Sequence, residues 1–365
     1  MKKKSVLLIT TMLVSMATSV SVSASDKVVN VYNWSDYIDP ASIKQFEKET
    51  GIKVNYDVYD SNEILEAKLM AGGSGYDVVV PTGTFLERQA KAGIYAEIDK
   101  SSLSNYSNID KSMASKMALH DPGNKHGVPY TWGTIGLGVN PDMVKARLGD
   151  VKLNSLDLIF KPEVAAKLAD CGIGILDSPA EVMAIAMNYE GLDPNSESKE
   201  DLKSTTAMVK KARPHYKYFD SSRLISDLAN GDICVALGYN GDMLQANSRA
   251  SEAGQGVKVE YLIPKEGTIA WFDMMAIPAD APHKKEAYAF INYILKAETG
   301  AGISNYVYYA VANEAAAEFV NKDIKYNVGI YPVGKTKEKL FSQLAHTSRF
   351  DRKLTRAWTQ IKTGR

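Results

Sequence analysis

The sequence predicts an α/β fold whose sheet is mostly parallel. Short apolar runs typical of buried strands alternate along the chain with amphipathic stretches typical of helices. The first strand, a β-branched run at 28–31, is followed at once by a helix start, with Asp39 as N-cap and Pro40 at the first helical position. The 365 residues are enough for two domains of ordinary size.

Local patterns place the other elements in order. The helix after Pro40 carries Ile43 and Phe46 on one face and ends at Gly51, a typical C′ cap. The further strands are predicted at 52–56, 76–81, 129–140, 172–176, 233–237 and 261–263. The further helices are predicted at 62–70, 162–168, 180–189, 199–213, 283–295, 336–343 with Thr336 as N-cap, and 351–363.

The chain begins with an export signal. Lysines at 2–4 precede the apolar stretch 6–14, and Val22-Ser23-Ala24 is a small-residue cleavage site. We therefore predict a signal peptide over residues 1–24, cleaved near Ala24. A retained membrane anchor is the weaker alternative, because the stretch is well short of the roughly 20 apolar residues that a span needs. The mature protein is expected to be exported and soluble.

Charge and motifs exclude several classes of function. The chain has 43 basic and 43 acidic residues, and removal of the leader's three lysines leaves it weakly acidic, which argues against a nucleic-acid binder. The five histidines show no metal-ligand spacing, and there is no Gly-x-Ser-x-Gly elbow of a serine hydrolase. The short glycine patterns at 136–138 and 172–174 lack the third glycine of a dinucleotide site. No catalytic residue, metal or cofactor is predicted.

The two cysteines, Cys171 and Cys234, lie beside two predicted strands. In an exported protein they can form a structural disulfide, which is the favoured interpretation, and two buried free thiols are the alternative.

Aromatic rings occur together with acids at three places near predicted strands. The stretches are Trp34-Ser35-Asp36-Tyr37, Tyr239-Asn240-Gly241-Asp242 and Trp271-Phe272-Asp273. In open α/β sheets, ligands bind in the crevice outside the carboxyl ends of the strands. Rings attract and pack an organic cation, and acids bond its ammonium groups. The pattern therefore favours an organic cation as ligand.

Several longer motifs, in order, resemble the bacterial periplasmic putrescine- and spermidine-binding proteins of polyamine ABC importers. They are Val31-Tyr32-Asn33-Trp34-Ser35-Asp36-Tyr37-Ile38, Gly75-Tyr76-Asp77-Val78-Val79-Val80-Pro81, Trp132-Gly133-Thr134-Ile135-Gly136, Ile263-Pro264-Lys265-Glu266-Gly267, Gly329-Ile330-Tyr331-Pro332 and Thr355-Arg356-Ala357-Trp358-Thr359. The resemblance covers essentially the whole mature chain.

The resemblance implies a two-lobed, type II periplasmic-binding-protein fold that closes over its ligand by hinge bending. Its lobes are discontinuous in sequence, and we place them at 26–133 plus 270–306 and at 134–269 plus 307–365. The implied protein is a periplasmic monomer that binds protonated spermidine or putrescine and delivers it to an inner-membrane ABC permease. The alternatives are a protein of the same fold for another organic cation, or an exported enzyme.

The resemblance also implies a ligand site. Rings would form its walls, acids would hold the ammonium groups, and two hydroxyl residues would add polar contacts. The residues are Trp34, Ser35, Asp36, Tyr37, Thr82, Glu181, Tyr239, Asp242, Trp271, Asp273 and Tyr309.

Each site residue also has a structural interpretation. Any single ring can belong to the core, Asp36 and Asp273 can be turn or cap residues, and Glu181 can be a first-turn acid favoured by a helix dipole. Tyr239 stands where many relatives carry Trp. The specificity signals conflict: Trp271 resembles spermidine-preferring relatives, whereas Ser178 resembles putrescine-preferring ones. Our sequence-based expectation leans towards spermidine.

Overall fold

A computed structural model describes residues 27–364, so the predicted signal peptide over residues 1–24 lies outside the described residues. The strands are β1 Val28–Trp34, β2 Lys53–Tyr59, β3 Val78–Val79, β4 Gly127–Val139, β5 Ile173–Ile175, β6 Tyr218–Phe219, β7 Val235–Tyr239, β8 Glu260–Leu262, β9 Thr268–Ala276, β10 Ala310–Val311 and β11 Leu340–Phe341. The helices are α1 Pro40–Thr50, α2 Asn62–Met70, α3 Gly83–Lys91, α4 Lys111–Met117, α5 Pro141–Leu148, α6 Asp157–Phe160, α7 Pro162–Leu168, α8 Pro179–Tyr189, α9 Lys199–Ala212, α10 Leu224–Ala229, α11 Asn240–Ala253, α12 Lys284–Ile294, α13 Ala297–Val307, α14 Lys322–Lys325, α15 Gly334–Glu338 and α16 Ser348–Thr363. Single turns of 3₁₀ helix lie at Lys100–Ser102, Tyr106–Asn108, Arg213–His215 and Ala315–Glu318.

The strands form a mixed sheet with two halves that share β4. The first half-sheet has the order β2-β1-β3-β9-β4, in which β1 is parallel to β2 and β3. The second half-sheet continues from β4 through β7 and β5 to β6, and β5 is parallel to both of its neighbours. The predicted α/β class is therefore confirmed, but the sheet is mixed and not mostly parallel, because β4 runs antiparallel to β7 and β9, and β9 runs antiparallel to β3.

Strand β4 is the longest strand among the described residues and takes part in both half-sheets. Its residues from Gly127 to Thr134 pair with β9, and those from Ile135 to Val139 pair with β7 and β8. The register shifts between Pro129 and Trp132, where an irregularity interrupts the pairing with β9. All thirteen residues of β4 are buried, which fits a strand at the centre of the molecule.

The ends of α1 follow the sequence signals. Asp39 caps the helix by accepting a hydrogen bond from the backbone N–H of Ala41 at 2.9 Å, and Pro40 is the first helical residue. Gly51 follows the helix with a φ of 66°, a left-handed conformation that costs glycine little. Both predicted caps of α1 are confirmed.

The predicted helix at 336–343 is wrong. The helix there, α15, spans only Gly334–Glu338, so Thr336 lies inside it and does not cap it. The chain then extends into β11, where Leu340 and Phe341 pair with Thr268 and Ile269 of β9. Pairing with a distant strand overrides the local helical pattern at this place.

The disulfide between Cys171 and Cys234 is confirmed, with Cα atoms 5.5 Å apart. Cys234 directly precedes β7 and Cys171 lies two residues before β5, and these two strands are parallel neighbours. The bridge therefore joins these strands at their amino ends. Within the described part of the chain, no helix has the length and apolar character needed to cross a membrane.

Candidate ligand-binding site

The structure brings all eleven predicted site residues together around one cavity of about 310 Å³. That volume is at the lower end of the range for small-molecule sites. The residues that line it are Trp34, Ser35, Asp36, Tyr37, Tyr59, Asp60, Thr82, Glu181, Ser221, Ser222, Ile225, Tyr239, Asp242, Trp271, Asp273 and Tyr309. None of these sixteen lining residues is a lysine or an arginine, so the cavity walls carry acids without a basic residue among them.

Strand ends and helix starts place these side chains. Trp34 is the last residue of β1, and Tyr239 is the last residue of β7. Thr82 directly precedes α3. Glu181 and Asp242 are the third residues of α8 and α11, so the positive end of each helix dipole lies near a carboxylate. The dipole explanation of Glu181 and its place on the cavity wall are therefore compatible.

Asp273 is different, because it lies within a strand. Its neighbours in β9 are buried on both sides, and its own side chain is only 4% exposed. It faces Thr82 through an isolated antiparallel bridge. One carboxylate oxygen accepts a hydrogen bond from the Tyr37 hydroxyl at 2.8 Å. The other, Oδ1, has no hydrogen-bond partner among the described residues. An acid in mid-strand with a free buried oxygen does not fit the turn or cap explanation.

The removal of water raises the pKa of three of the acids. Burial raises the pKa of Glu181, Asp242 and Asp273 to about 7, because a charge is less stable away from water. Tyr239 donates to Glu181 at 2.7 Å, and Tyr309 donates to Asp242 at 2.8 Å. These hydrogen bonds stabilise the ionised acids but do not offset burial.

The acids act on one another in two groups. The charge of Asp36 raises the pKa of Asp242 further, and the charge of Glu181 raises that of Asp273. Each group of acids can hold one positive charge, so the cavity can hold two positive charges at once. A ligand that brings both charges removes the repulsion within each group.

Aromatic rings occupy the space around the acids. The Trp271 ring lies 5.1 Å from Tyr309 and 6.0 Å from Tyr239, and both contacts are edge-to-face. The Tyr37 ring lies 5.2 Å from Tyr309 and is also edge-to-face. Gly241 allows this packing, since a Cβ there would lie 2.4 Å from the Tyr309 ring. Trp271 and Tyr309 are thus core side chains and cavity walls at the same time.

Ser35 and Asp36 form the exposed edge of the cavity. The Ser35 hydroxyl donates to Asp60 at 2.8 Å. Asp36 has a φ of 52°, a left-handed conformation that is uncommon for residues other than glycine, asparagine and aspartate. Its carboxylate lies 3.6 Å from the Arg249 guanidinium. Asp36 is therefore a turn residue, as one sequence interpretation had it, and its side chain still lines the cavity.

Sequence reasoning missed five lining residues, which are Tyr59, Asp60, Ser221, Ser222 and Ile225. Tyr59 and Asp60 do carry a signal, because they repeat the pattern of a ring and an acid at the end of a strand, here β2. The Tyr59 ring lies 4.8 Å from Trp34. The other three come from the loop after β6 and from α10, and nothing in their local sequence marks them.

The cavity has neither a metal-ligand cluster nor a cysteine among its lining residues. Between residues 27 and 364, no group of three or more His, Cys, Asp or Glu side chains is arranged to hold a metal ion. Both cysteines are bonded to each other, away from the cavity.

The fold and the site together define a class of protein. Two half-sheets share a central strand, and a polar and aromatic cavity, open at one edge, is built from strand ends and helix starts. This is the architecture of the two-lobed periplasmic solute-binding proteins. The predicted type II fold is therefore confirmed.

Comparison with known sequences identifies the family. Residues 41–330 match the model of the bacterial extracellular solute-binding proteins, and the chain belongs to this family. The chain is 51% identical over 353 residues to the putrescine-binding periplasmic protein PotF of Escherichia coli K12, covering 96% of this chain and 95% of that protein. It is 50% identical over 344 residues to the putrescine-binding periplasmic protein SpuD of Pseudomonas aeruginosa, covering 94% of each.

Comparison with solved structures supports the same family. The substrate-binding protein PotD of a spermidine/putrescine ABC transporter from Streptococcus pneumoniae superposes with a TM-score of 0.76 at 28% identity. The match covers 93% of this chain and 99% of that one. The resemblance to periplasmic polyamine-binding proteins is confirmed by these comparisons.

Proposed function

We propose that this protein is the periplasmic solute-binding component of a polyamine ABC importer. It binds one protonated polyamine in the cavity and delivers it, unchanged, to an inner-membrane permease. The observation that carries this proposal is a cavity with several acids, aromatic walls and no lysine or arginine among its lining residues. Such a site disfavours anions and neutral solutes, because its acids need positive charge to be stable in ionised form.

The shape of a polyamine fits this arrangement. A protonated diamine carries a charge at each end and an apolar chain between them. Asp36 with Asp242, and Glu181 with Asp273, would hold the two ends. Trp34, Tyr37, Tyr239, Trp271 and Tyr309 would pack the methylenes and attract the charges. Ser35 and Thr82 would add hydroxyl contacts. These eleven residues are the proposed binding site.

The family comparisons favour putrescine as the preferred polyamine. The two relatives near 50% identity are named for putrescine, whereas the spermidine/putrescine-binding protein of Escherichia coli is 31% identical. The size of Trp271 points the other way, and the spermidine expectation stays a prediction from that residue. We propose putrescine as the tighter ligand and spermidine as the weaker one.

Ligand capture would proceed by hinge bending between the two lobes, 26–133 plus 270–306 and 134–269 plus 307–365. The path of β4 through both half-sheets supports this proposal, because bending there moves one half-sheet against the other. Asp36 with Arg249 at 3.6 Å, and Arg88 with Asp351 at 3.3 Å, join residues of different proposed lobes.

The ligand would supply most of the closing free energy. Both ion pairs between the proposed lobes are partly exposed, and such pairs contribute only about 0–1 kcal/mol each. An ammonium group held between acids of both lobes interacts fully only in the closed form. Binding therefore shifts the population towards closure.

The remaining parts of the proposal follow from the family. The protein would be exported to the periplasm after cleavage near Ala24, and would act as a monomer without a cofactor. It would be a binding protein and not an enzyme. The relatives named above are periplasmic binding proteins, which supports both the periplasmic location and the role in binding.

Calorimetric titration of the refolded, ligand-free protein with putrescine, cadaverine and spermidine tests this proposal. We expect one-to-one binding, tightest for putrescine, and recovery of the polyamine unchanged by mass spectrometry after long incubation. Tighter binding of spermidine would reverse the proposed preference. An absence of heat with all three would refute polyamine binding, and chemical conversion of the ligand would indicate an enzyme.

A further inference from the structure

Tyrosine hydroxyls and acids are paired in the cavity. Each of the three acids of raised pKa accepts a hydrogen bond on one carboxylate oxygen from a different tyrosine. The pairs are Tyr37 to Asp273 Oδ2 at 2.8 Å, Tyr239 to Glu181 Oε2 at 2.7 Å, and Tyr309 to Asp242 Oδ1 at 2.8 Å. Burial also raises the pKa of each tyrosine above its ordinary value, so the hydroxyls keep their protons and act as donors.

The pair at Asp273 shows what the tyrosine does to the acid. Tyr37 holds Oδ2, and Oδ1 is left buried and without a partner. The Tyr37 hydroxyl is itself fixed by a second hydrogen bond with the Thr131 hydroxyl of β4. The tyrosine therefore helps to set the rotation of the carboxylate, together with the Thr82 hydroxyl that faces Asp273, and the oxygen without a partner is the one available to a ligand.

The other two pairs connect separate elements in the same way. Tyr239 ends β7 and reaches Glu181 on α8, and Tyr309 follows α13 and reaches Asp242 on α11. A side chain that spans two elements positions the acid more firmly than a partner on the same helix turn.

Each of the three acids is faced by a small set of charged, titratable or hydrogen-bonding groups. Glu181 interacts with Tyr239, Ser178 and Glu63. Asp242 interacts with Tyr309, Asp36 and Arg249.

For Asp273, the interacting groups are Tyr37, Thr82 and Glu181. Arg249 is the one cation in these three sets, and it lies at the exposed edge beside Asp36. The tyrosine hydroxyls are thus the donors common to all three acids.

We propose that Tyr37, Tyr239 and Tyr309 are positioning residues whose hydroxyls each orient one carboxylate and favour its ionised form, so that the buried acids give up their protons on binding a polyamine at a lower pH than burial alone would allow. This inference rests on the proposed function. It assigns the tyrosines a role beyond that of aromatic walls, because their hydroxyls act through the acids.

The coupling has a defined direction. An ammonium group needs an ionised carboxylate, so any proton on the acid must leave when the ligand binds. The apparent Kd for the polyamine therefore rises as the pH falls below the pKa that these acids have in the ligand-free protein. A phenylalanine in place of tyrosine keeps the ring and removes the donor, which raises the acid's pKa and moves the whole binding profile to higher pH.

The experiment compares Tyr239→Phe and Tyr309→Phe with the wild type by calorimetry with putrescine from pH 6 to pH 9. A hydrogen bond to a charged group corresponds to about one pH unit or more, so we expect the midpoint of each variant to move up by about one unit. Affinity should fall about tenfold near pH 7 and recover towards pH 9. In wild type at pH 6.5, titrations in buffers of different ionisation enthalpy should show protons released on binding.

The matched control is Tyr189→Phe. Tyr189 also donates to a carboxylate, Asp157 at 2.8 Å, and lies on the same helix as Glu181 but outside the cavity. Its profile should coincide with that of the wild type. Thermal unfolding of each variant tests whether the fold is kept.

The outcomes distinguish a failure of the positioning role from a failure of the proposed function. If wild type binds putrescine and both cavity variants keep its pH profile, the positioning role is refuted while the proposed function stands. An equal loss of affinity at every pH in both variants also refutes it, since lost packing alone has that effect. If the wild type binds no polyamine, the proposed function itself fails.

Discussion

Replacement of Asp273 by asparagine should change binding and stability in opposite directions. The substitution keeps the shape of the side chain and its contact with the Tyr37 hydroxyl, but removes the charge. Asp273 is 4% exposed, so an ammonium group beside it has little water to replace the lost carboxylate. Removal of one partner of such a buried pair costs about 3 kcal/mol or more, which is about a hundredfold or greater rise in Kd for putrescine.

The ligand-free protein should become more stable by the same change. Burial holds the pKa of Asp273 at about 7 in the folded protein, against an ordinary value near 3.9. The folded state thus binds the proton more tightly than the unfolded state, and stability is lost as the pH rises from about 4 to 7. Over that interval of about three pH units, the wild type loses at most about 4 kcal/mol of its free energy of unfolding. The asparagine variant has no such acid and does not lose this stability.

Two assays check both halves of this prediction. Calorimetry with putrescine at pH 8 measures the Kd, and thermal unfolding of ligand-free protein at pH 4 and pH 8 measures stability. Asp170→Asn, which alters an exposed acid paired with Arg147, is the control. Wild-type affinity in Asp273→Asn would remove Asp273 from the site. A variant less stable than wild type at pH 8 would refute the electrostatic argument.

Three further predictions follow from the structure. Ligand-free wild type should lose thermal stability between pH 4 and 7, and putrescine should raise its Tm more at pH 8 than at pH 5; a pH-independent shift would contradict the raised acid pKa values. Gly241→Ala should weaken putrescine binding about tenfold in calorimetry, because its Cβ would press on the Tyr309 ring, whereas Gly302→Ala, whose nearest neighbour lies at 3.7 Å, should not. The Cys171→Ala, Cys234→Ala double variant should lose about 4 kcal/mol of stability in denaturant unfolding, since the bridge closes a separation of 63 residues, yet keep its affinity; a tenfold change in Kd would contradict this.

Local signals predicted most elements of the fold. Caps such as Asp39, Pro40 and Gly51 act within a few residues, so they are readable in the sequence and were confirmed. The helix predicted at 336–343 was wrong, because β11 forms there by pairing with β9 and the nearby helix is only five residues long. Such pairing depends on a strand about seventy positions earlier in the chain, as the register of Leu340 with Thr268 shows. No local pattern contains that information.

The candidate site was predicted partly by chemistry and partly by resemblance. The aromatic and acidic stretches around Trp34, Tyr239 and Trp271 suggested an organic cation from residue types alone. Thr82 and Glu181 entered through the family resemblance, which also gave the Tyr309 ring its place in the cavity wall. Ser221, Ser222 and Ile225 were missed, since they reach the cavity only because β6 and α10 fold against it. The sequence had marked the acids and rings, but not which of them would touch.

The sequence by itself determined the class of this protein: an α/β chain with aromatic residues beside acids near strands. These properties depend on residue type and short-range order, which the chain carries in any conformation. The tertiary structure decided which tyrosine meets which acid, and which carboxylate oxygen remains free. Tyr37 and Asp273 are 236 positions apart, and their contact exists only because β4 and β9 pair beside the turn that follows β1. The raised pKa values have the same origin, because the removal of water from a carboxylate is a property of the folded cavity and not of the residue.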